Sequence, residues 1–289
     1  MILRLFGEIV ADRWAWLYDW FEIPHACPQM IRDALAELPD GETLVLEINS
    51  PGGDVFAGFE MYGVLRGCKR PTEAHIISMA ASAATTLMVA CDTVLASPVA
   101  QIMIHQPSAG VDGYLNNTAA EELSQYLDSI RASILNGYQL RCGEKATRKQ
   151  LQQLVDASTW MPVQDAIALG LVDGLLDASE DDTAALSTSA GKVTGVRNAI
   201  GCPDGPADLL ARYEQAVRNG AKPAQGHPVQ TEESAAAASS TQQLSLNGIL
   251  IDADGIHFTA DRAGSVSAAD TDGWKQQAAI DLERERWPE

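Results

Sequence analysis

The sequence predicts an α/β protein with a largely parallel sheet, on three observations. Between residues 2 and 104, short apolar runs ended by glycine or proline alternate with segments of helical spacing. Strands and helices that alternate in this way build parallel sheets, because each parallel step needs a crossover. A long stretch, 115–141, repeats apolar residues at three- and four-residue steps and reads as one amphipathic helix. After about residue 178 the alternation gives way to polar and low-complexity sequence.

In order along the chain, residues 2–10 have strand composition, and 28–38 places Met30, Ile31, Ala34, Leu35 and Leu38 at helical spacing before Pro39, Asp40 and Gly41 stop it. "LVLEIN" at 44–49 is a short apolar strand cut off by "SPGG". A helix is predicted over 55–67, a strand over 73–79, a helix of small residues over 82–90, and strands over 92–96 and 99–104. Residues 162–176 read as a helix stopped at Gly170 and a short strand. This divides the chain into a globular domain, 1–178, and an extension, 179–289, with a helix expected at 206–219 and a strand–turn–strand at 244–260 turning at "DADG". The linker at 222–243 is too rich in Ala, Ser, Pro and Gln to bury a core of its own.

Composition narrows the function. A formal net charge of −19 argues against nucleic-acid binding, which needs clustered Lys and Arg. No stretch approaches the roughly 18 apolar residues of a membrane span, and "MILRLFGEIVADRW" lacks the pattern of a secretory signal. The five cysteines, Cys27, Cys68, Cys91, Cys142 and Cys202, include no C-x-x-C pair. That argues against a metal knuckle or a disulfide framework and fits a reducing cytoplasm, with no cofactor or metal expected.

Three loops at the carboxyl ends of strands hold the unusual residues. "NSPGGD" (49–54) brings two adjacent glycines to a strand end, where backbone N–H groups can face a ligand. Taken alone it is as readily a plain turn. Ser82, in "AASAAT", follows the 73–79 strand at the start of the next helix. There it could be a packing residue, an N-cap, or a nucleophile beside free N–H groups. His105, in "IMIHQP", ends an apolar strand where α/β proteins keep their sites, though in isolation a satisfied, half-buried histidine is the favoured reading. Taken together the three fit acyl transfer. A serine needs a base, an imidazole suits neutral pH, and the tetrahedral intermediate needs two N–H donors, for which Gly53 and Ala83 are placed.

"INSPGGDVFAG", "AASAAT", "IMIHQP" and the closing "DAIALGLVDGLL" (165–176) occur in this order. Over residues 1–177 the chain resembles the proteolytic subunit of the Clp peptidases. Its W-rich start, "DVFAG" and "AASAA" look closest to the Clp-like head maturation proteases of tailed phages. The resemblance implies a ClpP/crotonase-like spiral of βαβ units, with 115–141 as a protruding handle helix through which subunits pack into a ring. It also implies Ser82 as nucleophile, His105 as general base, and the Gly53 and Ala83 amides as oxyanion hole. The third triad position, two residues ahead of Trp160, is Ser158 rather than an acid. Asp156 is the acid expected to reach His105, with Ser158 or a backbone carbonyl as the alternative.

The expected activity is ATP-independent serine endopeptidase chemistry on capsid or scaffold proteins, in the host cytoplasm or inside a prohead. No G-x-x-x-x-G-K-[ST] loop occurs in the chain, so any ATP-driven unfolding would need a separate ATPase partner. Two other classes compete: an assembly protein with a decayed protease domain, and a crotonase-type acyl-CoA enzyme, which would need acidic residues in place of the Ser–His pair. The extension is expected to be self-cleaved between residues 178 and 245, since exposed polar linkers are preferred protease sites.

Overall fold

The computed structural model describes residues 1–110, 114–176 and 205–226, together with strand residues 244–246, 249–252 and 255–258. Two compact units are present: one comprises Met1–Ala109 and Glu122–Val229, the other Gly110–Glu121 and Gln230–Glu289.

In the first unit, β1 (Ile2–Ile9), β2 (His25–Ala26), β3 (Leu44–Gly53), β4 (Thr72–Ala81), β5 (Thr93–Ala96), β6 (Gln101–Ile104), β7 (Thr159–Pro162) and β8 (Gly174–Leu175) form one sheet. The main path runs β2-β1-β3-β4-β5-β8, and every pair along it is parallel. The helices between them are α1 (Asp12–Trp20), α2 (Pro28–Glu37), α3 (Val55–Gly67), α4 (Ala83–Met88), α5 (Asn117–Cys142), α6 (Arg148–Asp156) and α7 (Val163–Leu169). The expected α/β class is therefore the observed one.

β3 and β4 lie at the centre because they are apolar on alternate positions and packed on both sides. Leu44, Leu46 and Ile48 on β3 and Ala74, Ile76 and Ala80 on β4 are fully buried. The second half of β4 makes the site. Its first half, Glu73–Ile76, pairs with β5, but Met79–Ala81 runs past the end of β5 and pairs with β6 instead. β6 is thereby brought beside the carboxyl end of β4, and it pairs antiparallel with β7 on its other edge.

Helix ends are satisfied locally. Asp54 accepts the N–H groups of Phe56 and Ala57, both at 2.8 Å, and so starts α3. Thr147 and Gln150 form a capping box on α6. Gly170, at φ +81°, ends α7 in the left-handed conformation expected of a glycine stop. α5 has 26 residues, hence about 39 Å of length. Its fully buried residues begin at Ile130, with Tyr126 and Leu127 partly buried against the same core.

Some expectations needed revision. β3 does not stop at Asn49 but continues through Pro51, Gly52 and Gly53 alongside β1, with a register irregularity against β4 after Ile48. α1, α6 and β7 carry no element in the sequence reading. The helix expected at 206–219 forms as α8 (Pro206–Arg218) and packs on α1 through Leu209 and Tyr213. In the second unit, β9 (Leu244–Leu246), β10 (Ile249–Asp252) and β11 (Gly255–Phe258) make an antiparallel sheet of three strands. The turn itself at Ala253–Asp254, the 227–243 part of the linker and the 178–204 stretch lie outside the described residues.

Candidate active site

Ser82 is the single residue between β4 and α4 and is held at φ 55°, ψ −127°. A side-chain-bearing residue in such a conformation stores of order 1–3 kcal/mol, so its surroundings must hold it there. They do so from three sides. The Ser82 N–H donates to the Met103 carbonyl on β6 at 2.9 Å. The Ser82 carbonyl accepts from the Thr85 N–H at 2.9 Å and from the Thr85 hydroxyl at 2.6 Å. That hydroxyl lies 2.5 Å from the hydroxyl of Tyr138, a fully buried residue of α5.

Ser82 occupies the N-cap position of α4, but its side chain caps nothing. Instead Ser82 Oγ sits 2.7 Å from His105 Nε2. A packing serine or an N-cap would have no use for this contact, and it separates the functional reading from the structural one. Small residues around Ser82 are needed for close packing. A Cβ on Gly52 would lie 2.6 Å from Ser82 Cβ, and one on Gly58 of α3 would lie 3.2 Å from Ala83 Cβ.

His105 follows β6 directly, which is why pairing β6 with the end of β4 delivers the imidazole to the serine. Burial lowers its pKa below the ordinary 6.5. At neutral pH the ring is therefore uncharged and able to take a proton. Three buried thiols are poor competitors as nucleophiles: burial pushes Cys91 up to about 12 and Cys27 and Cys142 up to about 11.

The double glycine divides its duties. Gly52 faces Ser82, and its N–H donates to the buried hydroxyl of Ser50 at 3.1 Å. Gly53 faces β1, where a Cβ would lie 2.2 Å from the Ile9 carbonyl oxygen and 2.9 Å from Glu8 Cγ. Both need glycine for close backbone approach, and both have positive φ, 95° and 147°.

Asp156 is not brought to His105. It ends α6, is exposed, and its Oδ1 accepts from Arg131 Nη1 at 2.9 Å and from Gln106 Nε2 at 2.8 Å. The physical reason is charge pairing. Arg131 on α5 offers a cation with which the carboxylate pairs, whereas the buried neutral imidazole offers none. Among the described residues the ring of His105 has one hydrogen-bond partner, Ser82. The β6–β7 pairing ends at Ile104 and Thr159, so His105 and Ser158 each lie one residue beyond its last pair. Ser158 is at φ 51°.

Sequence reasoning missed Ser50, Thr85, Tyr138, Gln106 and Arg131. A serine two residues before the first glycine is a recognised turn former and could have been noticed. Tyr138, Gln106 and Arg131 act through tertiary contacts that no local pattern marks. Among the described residues no group of three or more His, Cys, Asp or Glu could hold a metal ion, and no helix is long and apolar enough to cross a membrane.

A family model described as Clp protease matches residues 24–179. The ATP-dependent Clp protease proteolytic subunit 1 of Chlamydia muridarum is 32% identical over 143 residues, which is 49% of this chain and 73% of that protein. Its counterpart in Chlamydia trachomatis is 31% identical over the same shares. Among solved structures, a ClpP1 mutant from Listeria monocytogenes overlays with a TM-score of 0.50 at 19% identity, covering 63% of this chain and 94% of that one. That last likeness concerns the fold.

Proposed function

Because the chain belongs to the Clp protease family, we propose that it is a serine endopeptidase in which Ser82 is the nucleophile and His105 the base. The observation that carries this reading is the 2.7 Å contact between Ser82 Oγ and His105 Nε2. The Ser82 hydroxyl proton passes to Nε2 as Oγ attacks the scissile carbonyl carbon. The amides of Gly53 and Ala83 stabilise the resulting oxyanion. The imidazolium then protonates the leaving amine, the peptide bond breaks, and an acyl-enzyme remains. Water, deprotonated by the same ring, hydrolyses the ester and returns the proton to Ser82.

Among the described residues no carboxylate hydrogen-bonds the ring. An acid orients and stabilises the imidazolium, and losing it from such a site costs about 10⁴-fold, but nucleophile, base and oxyanion hole still catalyse above the rate in water. Ser158, one residue beyond the last β6–β7 pair as His105 is, is the side chain we assign to orient the ring. A fluorophosphonate probe tests the assignment: the wild type should be labelled and Ser82→Ala should not. Equal labelling of both would contradict it.

The finer role is prohead protease, cleaving capsid or scaffold proteins in the host cytoplasm or the prohead interior. It rests on the W-rich start, "DVFAG" and "AASAA". A homo-oligomeric ring packed through α5 is part of this reading, and an ATPase is not required. An imidazole with no carboxylate partner among the described residues favours one competitor, an assembly protein with weak catalysis. Capsid proteins left intact by the purified, oligomeric protein would support that competitor. Self-cleavage between 178 and 245 would spare the docked helix α8, whose Leu209 and Tyr213 are buried. Intact-mass measurement of the matured protein would locate the cut.

A further inference from the structure

The oxyanion turn leans on a side-chain pair, half-buried Glu8 and buried Tyr18, that no part of the proposed mechanism uses. β1 carries an irregularity between Phe6 and Glu8 in its pairing with β3. Gly7 sits there at φ +85°, where a Cβ would come within 1.9 Å of the Pro24 carbonyl oxygen. Bulges of this kind re-aim the side chains that follow. Glu8 is accordingly turned onto the turn: its Cγ would be 2.9 Å from a Cβ on Gly53. The Glu8 carboxylate in turn accepts a hydrogen bond from the Tyr18 hydroxyl at 2.6 Å. Tyr18 belongs to α1 and is 1% exposed, so its ring fixes the hydroxyl from a packed cluster. On the other side of the same turn, Gly52 presses on Ser82.

From this arrangement we propose that Glu8 and Tyr18 are positioning residues for the oxyanion hole, a step that rests on the peptidase reading given above. Tyr18 holds the Glu8 side chain in one rotamer. Glu8, with the Ile9 carbonyl that accepts from the Asp54 N–H at 2.8 Å, forms the wall against which Gly53 is seated. The pair touches neither substrate nor the reacting atoms. It sets where the Gly53 N–H stands relative to Ser82, and so acts on the tetrahedral intermediate more than on substrate binding. What matters in Glu8 is an acceptor of the right length, not its charge.

The experiment uses the full chain and a fluorogenic peptide that the wild type cleaves and Ser82→Ala does not. Tyr18→Phe keeps the ring in its cluster and removes only the hydroxyl. It should lower kcat about tenfold, with KM within about twofold of the wild type. Binding of a peptide boronate, whose tetrahedral adduct needs the same hole, should weaken by the same factor. Glu8→Ala should match Tyr18→Phe, Glu8→Gln should restore kcat to within about twofold of the wild type, and Tyr18→Phe/Glu8→Ala should be no worse than either single change. A Tyr18→Phe protein with unchanged kcat and boronate affinity would overturn the proposal, as would single effects that multiply in the double variant. Should Tyr18→Phe fail to fold, a folded Glu8→Ala with wild-type kcat overturns it equally. A wild type that cleaves no peptide and takes no fluorophosphonate is a different result: it removes the peptidase reading, and this inference with it.

Discussion

The Ser82–His105 corner and the α1–α8 helix pair are built on opposite principles. At the corner, neighbouring strands deliver two polar side chains through small residues and strained backbone: Ser82 at φ 55° and glycines that a single Cβ would disrupt. In the helix pair, large rings do the work. Tyr213 meets Trp16 and Trp20 edge-on with centroids 5.1 Å apart in both cases, and Arg212 stacks over Phe21 at 5.0 Å. Trp20 Nε1 reaches the Lys222 carbonyl across a sequence separation of 202 residues. The first region gives up local stability for geometry, and the second ties the last helix of the first unit to that unit's start by apolar burial. Changes in the first should therefore affect rate more than stability, and changes in the second the reverse.

The largest expected effect is on rate. Ser82→Ala should lower peptide hydrolysis by about 10³-fold or more with the melting temperature unchanged, measured by steady-state kinetics beside calorimetry. Retained hydrolysis would remove the corner from the chemistry. Gly52→Ala comes next, because its Cβ would meet Ser82 Cβ and the Ala81 carbonyl oxygen, each at 2.6 Å. It should reduce kcat/KM by about 10²-fold, as expected of a displaced nucleophile. Wild-type kinetics in that variant would show that the turn and the serine are not in register.

On the other side of the comparison, Tyr213→Ala should destabilise the protein by about 3 kcal/mol, the cost of emptying an aromatic core site. Tryptophan emission should shift to the red as α8 loosens from α1, with kcat per folded molecule little changed. A stable variant with an unshifted spectrum would mean that α8 does not dock in solution.

Smaller effects concern the third position. Asp156→Asn should change kcat by less than about threefold, since the carboxylate serves Arg131 and Gln106, whereas loss of a true triad acid costs about 10⁴. Ser158→Asp would set a carboxylate opposite His105, at a left-handed position that aspartate tolerates. The added negative charge should raise the His105 pKa and move the acid limb of kcat/KM to higher pH. An unmoved limb would show that Ser158 does not face the ring.

Much of this corner was legible in the sequence because its signals are local. A double glycine at a strand end, a serine among alanines at a strand–helix junction and a histidine before a Gln-Pro step each announce themselves without tertiary knowledge. α1 was illegible for a physical reason. "DRWAWLYDW" places bulky rings around most of the helix instead of along one stripe, because α1 is buried both by the sheet side and by α8. β3 was cut short because "SPGG" reads as a turn when no partner strand is in view, whereas β1 keeps it extended. The expectation that Asp156 would serve His105 failed on a contact, Arg131, that comes from another helix.

In the proposed mechanism Ser82 is activated by an imidazole that has no carboxylate partner among the described residues, and the pH dependence of fluorophosphonate acylation tests this most directly. The buried ring binds its proton less readily than a free histidine, so it stays neutral to lower pH. The account predicts one adduct, on Ser82, whose rate falls on an acid limb with a midpoint below 6.5. An adduct elsewhere, or an acid limb above 6.5, would contradict it.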